Sequence, residues 1–200
     1  MSLAILRTQY KSNQNDQPVI HTITAILDNH LKEWYGDHAF RVSRNPEIHA
    51  YTNSFQLRFA IITSRGKKHI LVKVRRHSWM RSLTEALSDS TVHVDMQNEY
   101  RSLQAIYDFF GGVQGDIGAV RPLMYIENLS ALVMEECQSV SLRRLLTQWG
   151  TLLYREESIK ILQDAARKTG HWLYLFHHEL QNCSYLEPAD QIMSAVKSYT

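Results

Sequence analysis

The stretch FQLRFAIITSRGKKHILVKVR, residues 55–75, decides the fold. Its two halves are rich in β-branched and aromatic residues, and they flank the short polar segment SRGKK. Two such runs around a tight turn that contains glycine are typical of a β-hairpin. One residue does not fit a plain buried strand, because Lys73 stands within the run ILVKV. Side chains alternate along a strand, so Lys73 shares a face with Leu71 and Arg75, and an ammonium on a packed face needs a partner.

Helix and strand patterns continue upstream of this hairpin. A helix is predicted to begin near Asp16, with Pro18 in its first turn, and to end at Gly36. Its apolar positions are Val19, Ile23, Ile26, Leu27, Leu31 and Trp34. A first strand, AFRVSR, is predicted from Ala39, and residues 45–56, NPEIHAYTNSFQ, are predicted as the polar loop between the first two strands.

Downstream of the hairpin, a second helix is predicted over residues 96–112. Its apolar residues recur at alternating intervals of four and three, and two glycines end it. This stripe consists of Met96, Tyr100, Leu103, Tyr107 and Phe110. Strands are predicted from Arg121 and from Ala131, and from residue 141 onward the pattern becomes helical, with helices over 141–150 and 156–182 and a short one after Pro188.

Composition limits the classes of function. The chain has 200 residues, 44% of them hydrophobic, and a formal charge of +2, which gives no general attraction to nucleic acid or to an anionic membrane. The basic run at residues 65–81 is divided between a turn and a strand end, so no nucleic-acid partner is expected. Cys137 and Cys183 form neither a disulfide framework nor a zinc pattern, and we expect no targeting or membrane-spanning segment. A cytoplasmic setting is therefore expected.

The predicted element order defines the fold class as α+β. A five-stranded antiparallel sheet with one inserted helix is followed by a helical segment. The predicted parts are residues 1–38, a polar lead-in and helix, residues 39–137, the sheet with its inserted helix, and residues 138–200, a helical segment. No metal-ligating set is predicted, because His171 and His177 do not coincide on one helix face and no pair of carboxylates joins them.

Particular residues within this order of strands and helices resemble those of a known protein family. Lys73 lies in the third strand, Glu99 lies in the inserted helix within NEYRSL, and LVMEECQSVSLRRLL runs from the fifth strand through a short connection into a helix. Residues 39–182 thereby resemble the small lobe of the kinase superfamily and the start of its large lobe. The pieces SVSLRRLL and WLYLFHHEL are similar to the aminoglycoside phosphotransferase and choline kinase branch.

This resemblance implies a nucleotide site. Lys73 would hold the α and β phosphates of ATP, and Glu99 would orient Lys73. Leu71 would touch adenine, Met134 would border the back of the adenine site, the carbonyl of Glu135 would accept from the amino group, and the backbone of Cys137 would donate to the ring. In place of a glycine-rich loop, Asn53 and Ser54 would cover the phosphates.

Each part of this site has a simpler interpretation. Lys73 could belong to a basic edge with Arg75 and Arg76, and Glu99 could be a surface acid. Residues 45–56 could form a polar hairpin loop without a ligand, and ALVMEE could be a buried edge strand.

The residues that catalyse phosphoryl transfer in the kinase superfamily are missing from this sequence. Phosphoryl transfer in the superfamily needs an aspartate, an asparagine five residues later and a metal-binding aspartate after the hinge. Past Cys137 the aspartates are Asp164 and Asp190, neither in that pattern, and HVDMQN at residues 93–98 has the wrong spacing and position. We therefore expect the ATP-binding front part of a longer phosphotransferase that acts on a small-molecule hydroxyl, with the Mg²⁺ ligands outside this chain. The alternative is a non-catalytic interaction module in which Lys73 and Glu99 are a relic ion pair.

Overall fold

A computed structural model of the protein describes residues 8–10, 14–43, 45–89, 91–110, 118–137 and 156–179. The chain forms two compact units, one of Met1–Leu103 with Val120–Glu136 and the other of Gln104–Ala119 with Cys137–Thr200. The first unit contains an open antiparallel sheet, and the fold class is α+β, as predicted.

Seven strands form one sheet in the described part of the chain, rather than the five predicted. They are β1 (Thr8–Gln9), β2 (Phe40–Arg41), β3 (Glu47–Ala50), β4 (Ser54–Thr63), β5 (Gly66–Arg75), β6 (Pro122–Ile126) and β7 (Ala131–Glu135). The order across the sheet is β1-β3-β4-β5-β7-β6, and β2 pairs with β4 off this path. All pairs are antiparallel. The predicted hairpin is confirmed, with Ser64 and Arg65 between β4 and β5 and Gly66 at a φ of 104°.

The first predicted strand is wrong in its extent. It is reduced to Phe40–Arg41, and Glu47–Ala50, which was predicted as loop, forms β3. Both segments pair with β4, β3 near its start and β2 near its end, so together they take the place of the single predicted strand. Pro46 lies between them and has no N–H for a sheet ladder, which accounts for the interruption. The short strand β1 was also not predicted.

The helices are α1 (Gln17–Tyr35), α2 (Leu83–Leu87), α3 (Thr91–Phe109) and α4 (Glu156–Glu179), with 3₁₀ turns at Gln14–Asp16 and Glu127–Leu129. Asp16 precedes α1, Pro18 lies in its first turn and Gly36 ends it at a φ of 88°, as predicted. Helix α3 begins five residues before the predicted start, α2 was not predicted, and α4 confirms most of the predicted 156–182 helix. The predicted helix at 141–150, the one after Pro188 and the terminating Gly111 and Gly112 lie outside the described residues.

Alternation along the strands assigns the two faces of the sheet. The burial pattern of β5 hides Ile70, Val72 and Val74, and these residues join the side chains of α1 in one core. The largest fully buried members of this core are Ile23, Leu27, Phe55, Leu57, Phe59, Ile61 and Ile70. Leu71, Lys73 and Arg75 therefore lie on the opposite face, as the alternation predicts.

In the second unit, α4 carries a stack of aromatic rings. The ring of Phe110 lies 5.7 Å from that of Trp172, and Trp172 lies 5.0 Å from Phe176, with the planes nearly parallel. Neither α4 nor any other described helix is both long enough and apolar enough to cross a membrane.

Candidate functional site

Lys73 and Glu99 form the ion pair that the sequence predicts. Lys73 lies in β5, opposite Gln56 of β4 on one side and Leu132 of β7 on the other. Its Nζ donates to Oε1 of Glu99 at 2.5 Å. The two side chains are 26% and 32% exposed, so the pair is half-buried rather than sealed in the core. A half-buried pair keeps the ammonium accessible to an incoming anion.

A second ion pair, which was not predicted, joins the same strand to the same helix. Arg75 lies 3.0 Å from Asp95. Lys73 and Arg75 are two residues apart on a strand, and Asp95 and Glu99 are four apart on a helix, so each pair of like charges projects from one face. Cations at this strand spacing and acids at this helix spacing were the sequence signal that could have predicted the second pair.

Helix α3 is held in place by apolar contacts close to Glu99. Met96 is fully buried, one turn before Glu99. The next residue after Glu99, Tyr100, stacks on Tyr125 of β6 at 6.1 Å. With α3 packed on both sides of Glu99, the carboxylate reaches Nζ of Lys73 on β5.

Two residues that are predicted to contact the nucleotide lie beside Lys73. Leu71 and Met134 are direct cross-strand neighbours on β5 and β7, and both are partly buried. They share the face of Lys73, since Leu71 is two residues before it. The structure thus places an apolar pair next to the ammonium.

Glu135 and Cys137 occupy different surroundings. The Glu135 side chain accepts from Nζ of Lys68 and from the Tyr35 hydroxyl, the latter at 3.3 Å, and its backbone N–H donates to the carbonyl of Arg121 at 2.9 Å. Burial, followed by the charge of Glu135, raises the pKa of Tyr35. Cys137 is exposed, two residues after β7. The backbone contacts predicted for both residues stay predictions.

Asn53 and Ser54 lie at the β3–β4 turn. The carbonyl of Asn53 accepts from the backbone N–H of Arg76 at 3.1 Å, and the carbonyl of Ser54 accepts from Tyr51 at 2.8 Å. Ser54 is 6% exposed and lies opposite Arg75, on the face of Lys73. Their predicted contact with phosphate stays a prediction.

Arg58 lies on the same face of the sheet as Lys73, and the sequence analysis did not predict it as part of the site. It is the cross-strand neighbour of Leu71 on β4. Its Nε lies 3.0 and 2.9 Å from the two oxygens of Glu136, and its terminal nitrogens reach Glu47 at 3.2 Å and Nδ1 of His69 at 3.1 Å. The hydrogen bond from Arg58 is the main cause of the lowered pKa of Glu47. As with Lys73, a cation within an apolar strand run was the available signal.

His69 makes stability depend on pH through this cluster. Burial is the main cause that lowers the pKa of His69 below its ordinary value of 6.5, and the charges of Arg58 and Lys67 lower it as well. The charges of Glu136 and Glu47 oppose this shift but do not cancel it. The unfolded chain therefore binds the proton more readily, and acidification below the ordinary histidine pKa favours unfolding.

We expect the free energy of unfolding to fall between about pH 7.5 and about pH 5.5, and to fall less in His69→Gln. Urea denaturation at the two pH values measures both quantities. An identical pH dependence in His69→Gln and the wild type would contradict the assignment.

Comparison of the chain with protein-family models, with curated proteins and with solved structures gives no match. In the described ranges, no three His, Cys, Asp or Glu side chains are grouped as metal ligands.

Proposed function

We propose that the first unit binds ATP on the face of the sheet that carries Lys73, as the nucleotide-binding small lobe of a phosphotransferase similar to the aminoglycoside phosphotransferase and choline kinase branch. The observation that supports the proposal is the contact of 2.5 Å between Lys73 and Glu99. In kinases, a lysine on the third strand pairs with a glutamate on the following helix and holds the nucleotide phosphates. Lys73 lies in the third strand of the β3–β4–β5 meander, and Glu99 lies in α3, before β6.

The surroundings of Lys73 suit a nucleotide. Leu71 and Met134 offer adjacent apolar surface for a purine, and Arg58 lies beside Leu71 with a planar cationic group that stacks well on aromatic rings. The phosphates would meet Lys73 two residues further along β5. Adenine contacts from Glu135 and phosphate contacts from Asn53 and Ser54 are part of the same proposal.

The proposal for this chain is nucleotide binding, with transfer to a small-molecule hydroxyl completed by residues that this sequence lacks. Asp164, the one aspartate after Cys137 within the described residues, is exposed on α4 and bound by Arg167 and Lys168, each at 2.7 Å. These two cations hold the pKa of Asp164 below its usual range. It is an ion-paired helix residue, and the Mg²⁺ ligands would come from outside this chain. A cytoplasmic setting is part of the proposal as well.

A second candidate function is a non-catalytic interaction module. The observation that favours it is the doubled ion pair, because Lys73 with Glu99 and Arg75 with Asp95 together would clamp α3 to β5 without any ligand. In that case Lys73 would serve structure alone.

Isothermal titration calorimetry with magnesium and ATP separates the two candidates. We expect saturable binding to the wild type and binding about 10-fold to 100-fold weaker in Lys73→Ala, which loses a charge-assisted bond to phosphate. The matched control is Arg75→Ala, which breaks the neighbouring ion pair from the same strand to the same helix. It should change the dissociation constant less than about threefold. Equal affinities in Lys73→Ala and the wild type would refute the lysine assignment and favour the structural clamp.

A further inference from the structure

A cleft of about 620 Å³ lies on the face of the sheet opposite Lys73. It is bordered by Tyr10 after β1, by the β3–β4 turn with Tyr51 and Thr52, and by the segment after β5 with Arg76, Trp79 and Arg81. Two of the residues that border it pack on the buried ring of Phe55: the ring of Tyr10 lies 5.0 Å from that ring, and the guanidinium of Arg76 lies 4.7 Å from its centre. Phe55 pairs with Val74 across β4 and β5, so both side chains point away from Lys73. The cleft therefore lies on the other face of the sheet from Lys73, and it shares only the β3–β4 turn with the proposed nucleotide site.

Two arginines face this cleft without a carboxylate partner among the described residues. Elsewhere in the sheet, arginines are paired, as Arg58 is with Glu136 and Arg75 is with Asp95. The terminal nitrogen of Arg76 reaches only the carbonyl of Ser78, at 3.4 Å, and its Nε is buried without a hydrogen-bond acceptor. The guanidinium of Arg76 therefore has N–H donors that no carboxylate occupies, and an anion that enters the cleft can accept from them.

The carboxylates near the cleft, Glu85 and Asp16, do not neutralise these arginines. The Glu85 carboxylate accepts from the backbone N–H of Arg81 at 2.8 Å and makes no ion pair with either guanidinium among the described residues, and Asp16 accepts from the Tyr10 hydroxyl at 2.7 Å. Burial, and then the hydrogen bond to Asp16, raises the pKa of Tyr10. Tyr10 is thus an uncharged phenol near neutral pH and does not repel an anion.

The segment that carries the two arginines is anchored. Met80 is 1% exposed, its backbone N–H donates to the carbonyl of His77 at 3.0 Å, and the N–H of His77 donates to Sδ of Met80 at 3.3 Å. Trp79, next to this anchor, is 64% exposed and stacks with His77 at 5.4 Å. A large exposed indole on an anchored turn is a preorganised surface for a second flat ring.

We propose that this cleft binds a ligand in which a phosphate or carboxylate group is joined to a planar ring. Arg76 and Arg81 bind the anionic group, and the ring stacks on Trp79. Guanidinium groups bind both anions through paired N–H donors, so the shared chemistry is an oxyanion next to a flat ring. This inference does not depend on the proposed ATP site, because it uses the other face of the sheet.

Calorimetric titration of the full chain with phenyl phosphate, benzoate and inorganic phosphate tests the proposal. We expect saturable binding of phenyl phosphate or benzoate, with the tighter of the two identifying the anion, and weaker binding of inorganic phosphate, which lacks the ring. Arg81→Gln should weaken binding about 10-fold or more, and Trp79→Ala should abolish the advantage of the ring. Arg81 is exposed and its guanidinium makes no ion pair within the described residues, so its replacement should leave the fold intact.

Two matched variants make the result specific. Arg65→Gln, which removes an exposed arginine from the β4–β5 turn, should leave the dissociation constant within about twofold of the wild type, and so should Lys73→Ala. Absence of saturable binding at millimolar ligand would overturn the proposal, as would an equal loss in Arg65→Gln and Arg81→Gln. A loss confined to Lys73→Ala would move the ligand to the opposite face and would also overturn it.

Discussion

Replacing Phe59 with alanine is expected to lower the free energy of unfolding by about 3–5 kcal/mol. Phe59 is 1% exposed in the middle of β4, opposite Ile70, and belongs to the core between the sheet and α1. Removing its ring both loses the transfer free energy of the buried surface and leaves a cavity that the surrounding side chains fill only in part. Domains are stable by about 5–15 kcal/mol, so this single change removes a large share.

Phe40→Ala is the matched control for this prediction. Phe40 lies in β2, is 57% exposed, and undergoes the same change of side chain. We expect it to cost less than about 1 kcal/mol, because little apolar surface leaves water on folding. Urea denaturation followed by circular dichroism measures both variants. Similar losses at the two positions would contradict the assignment of Phe59 to the core.

Replacing Asp16 with alanine is expected to cost about 2–4 kcal/mol. This carboxylate is fully buried at the start of α1. One of its oxygens accepts from the Tyr10 hydroxyl at 2.7 Å, and the other accepts from the backbone N–H and the hydroxyl of Thr84, both at 3.2 Å. It therefore joins the end of β1 and helix α2 to α1. Its removal takes the acceptor from the Tyr10 hydroxyl and from the Thr84 N–H, while the Thr84 hydroxyl keeps the carbonyl of Asn15 at 2.8 Å.

Asp28→Ala serves as the control, since it removes a carboxylate from the surface of the same helix. Asp28 is 44% exposed and pairs with Arg41 at 2.9 Å. Exposed pairs contribute about 0–1 kcal/mol, so its loss should be small. Hydrogen exchange should also show faster exchange in α2 for Asp16→Ala and not for Asp28→Ala. Equal stability of the two variants would show that Asp16 does not connect these elements.

Elements with strong local signals were predicted well. The hairpin of β4 and β5 follows from two β-rich runs around SRGKK, and α1 follows from Pro18 at its start and Gly36 at its end. Elements that lack such signals were missed. Strand β3 has four residues, only one of them a large buried hydrophobic, and it forms because β4 offers an unpaired edge. Helix α2 has five residues, too few to show a helical period.

Within the candidate site, the contact of Lys73 with Glu99 was predicted and the Arg58 cluster was not. Lys73 and Glu99 are 26 residues apart, and their meeting follows from a strand succeeded by a helix that packs on it. Arg58 and Glu136 are 78 residues apart, and their contact depends on β7 lying next to β5 in one particular register. No local pattern specifies that register.

The sequence by itself determined which side chains share a face of each strand and helix, because the periods of two and 3.6 residues are properties of the backbone. It thereby placed Lys73, Leu71 and Arg75 together and opposite the apolar face of β5. Apart from Lys73 with Glu99, only the tertiary structure decided which polar groups meet across elements: Arg75 with Asp95, Arg58 with Glu136, and Asp16 with Thr84. The physical reason is that strand order and helix placement are set by burial of the whole core, in which residues distant along the chain take part together.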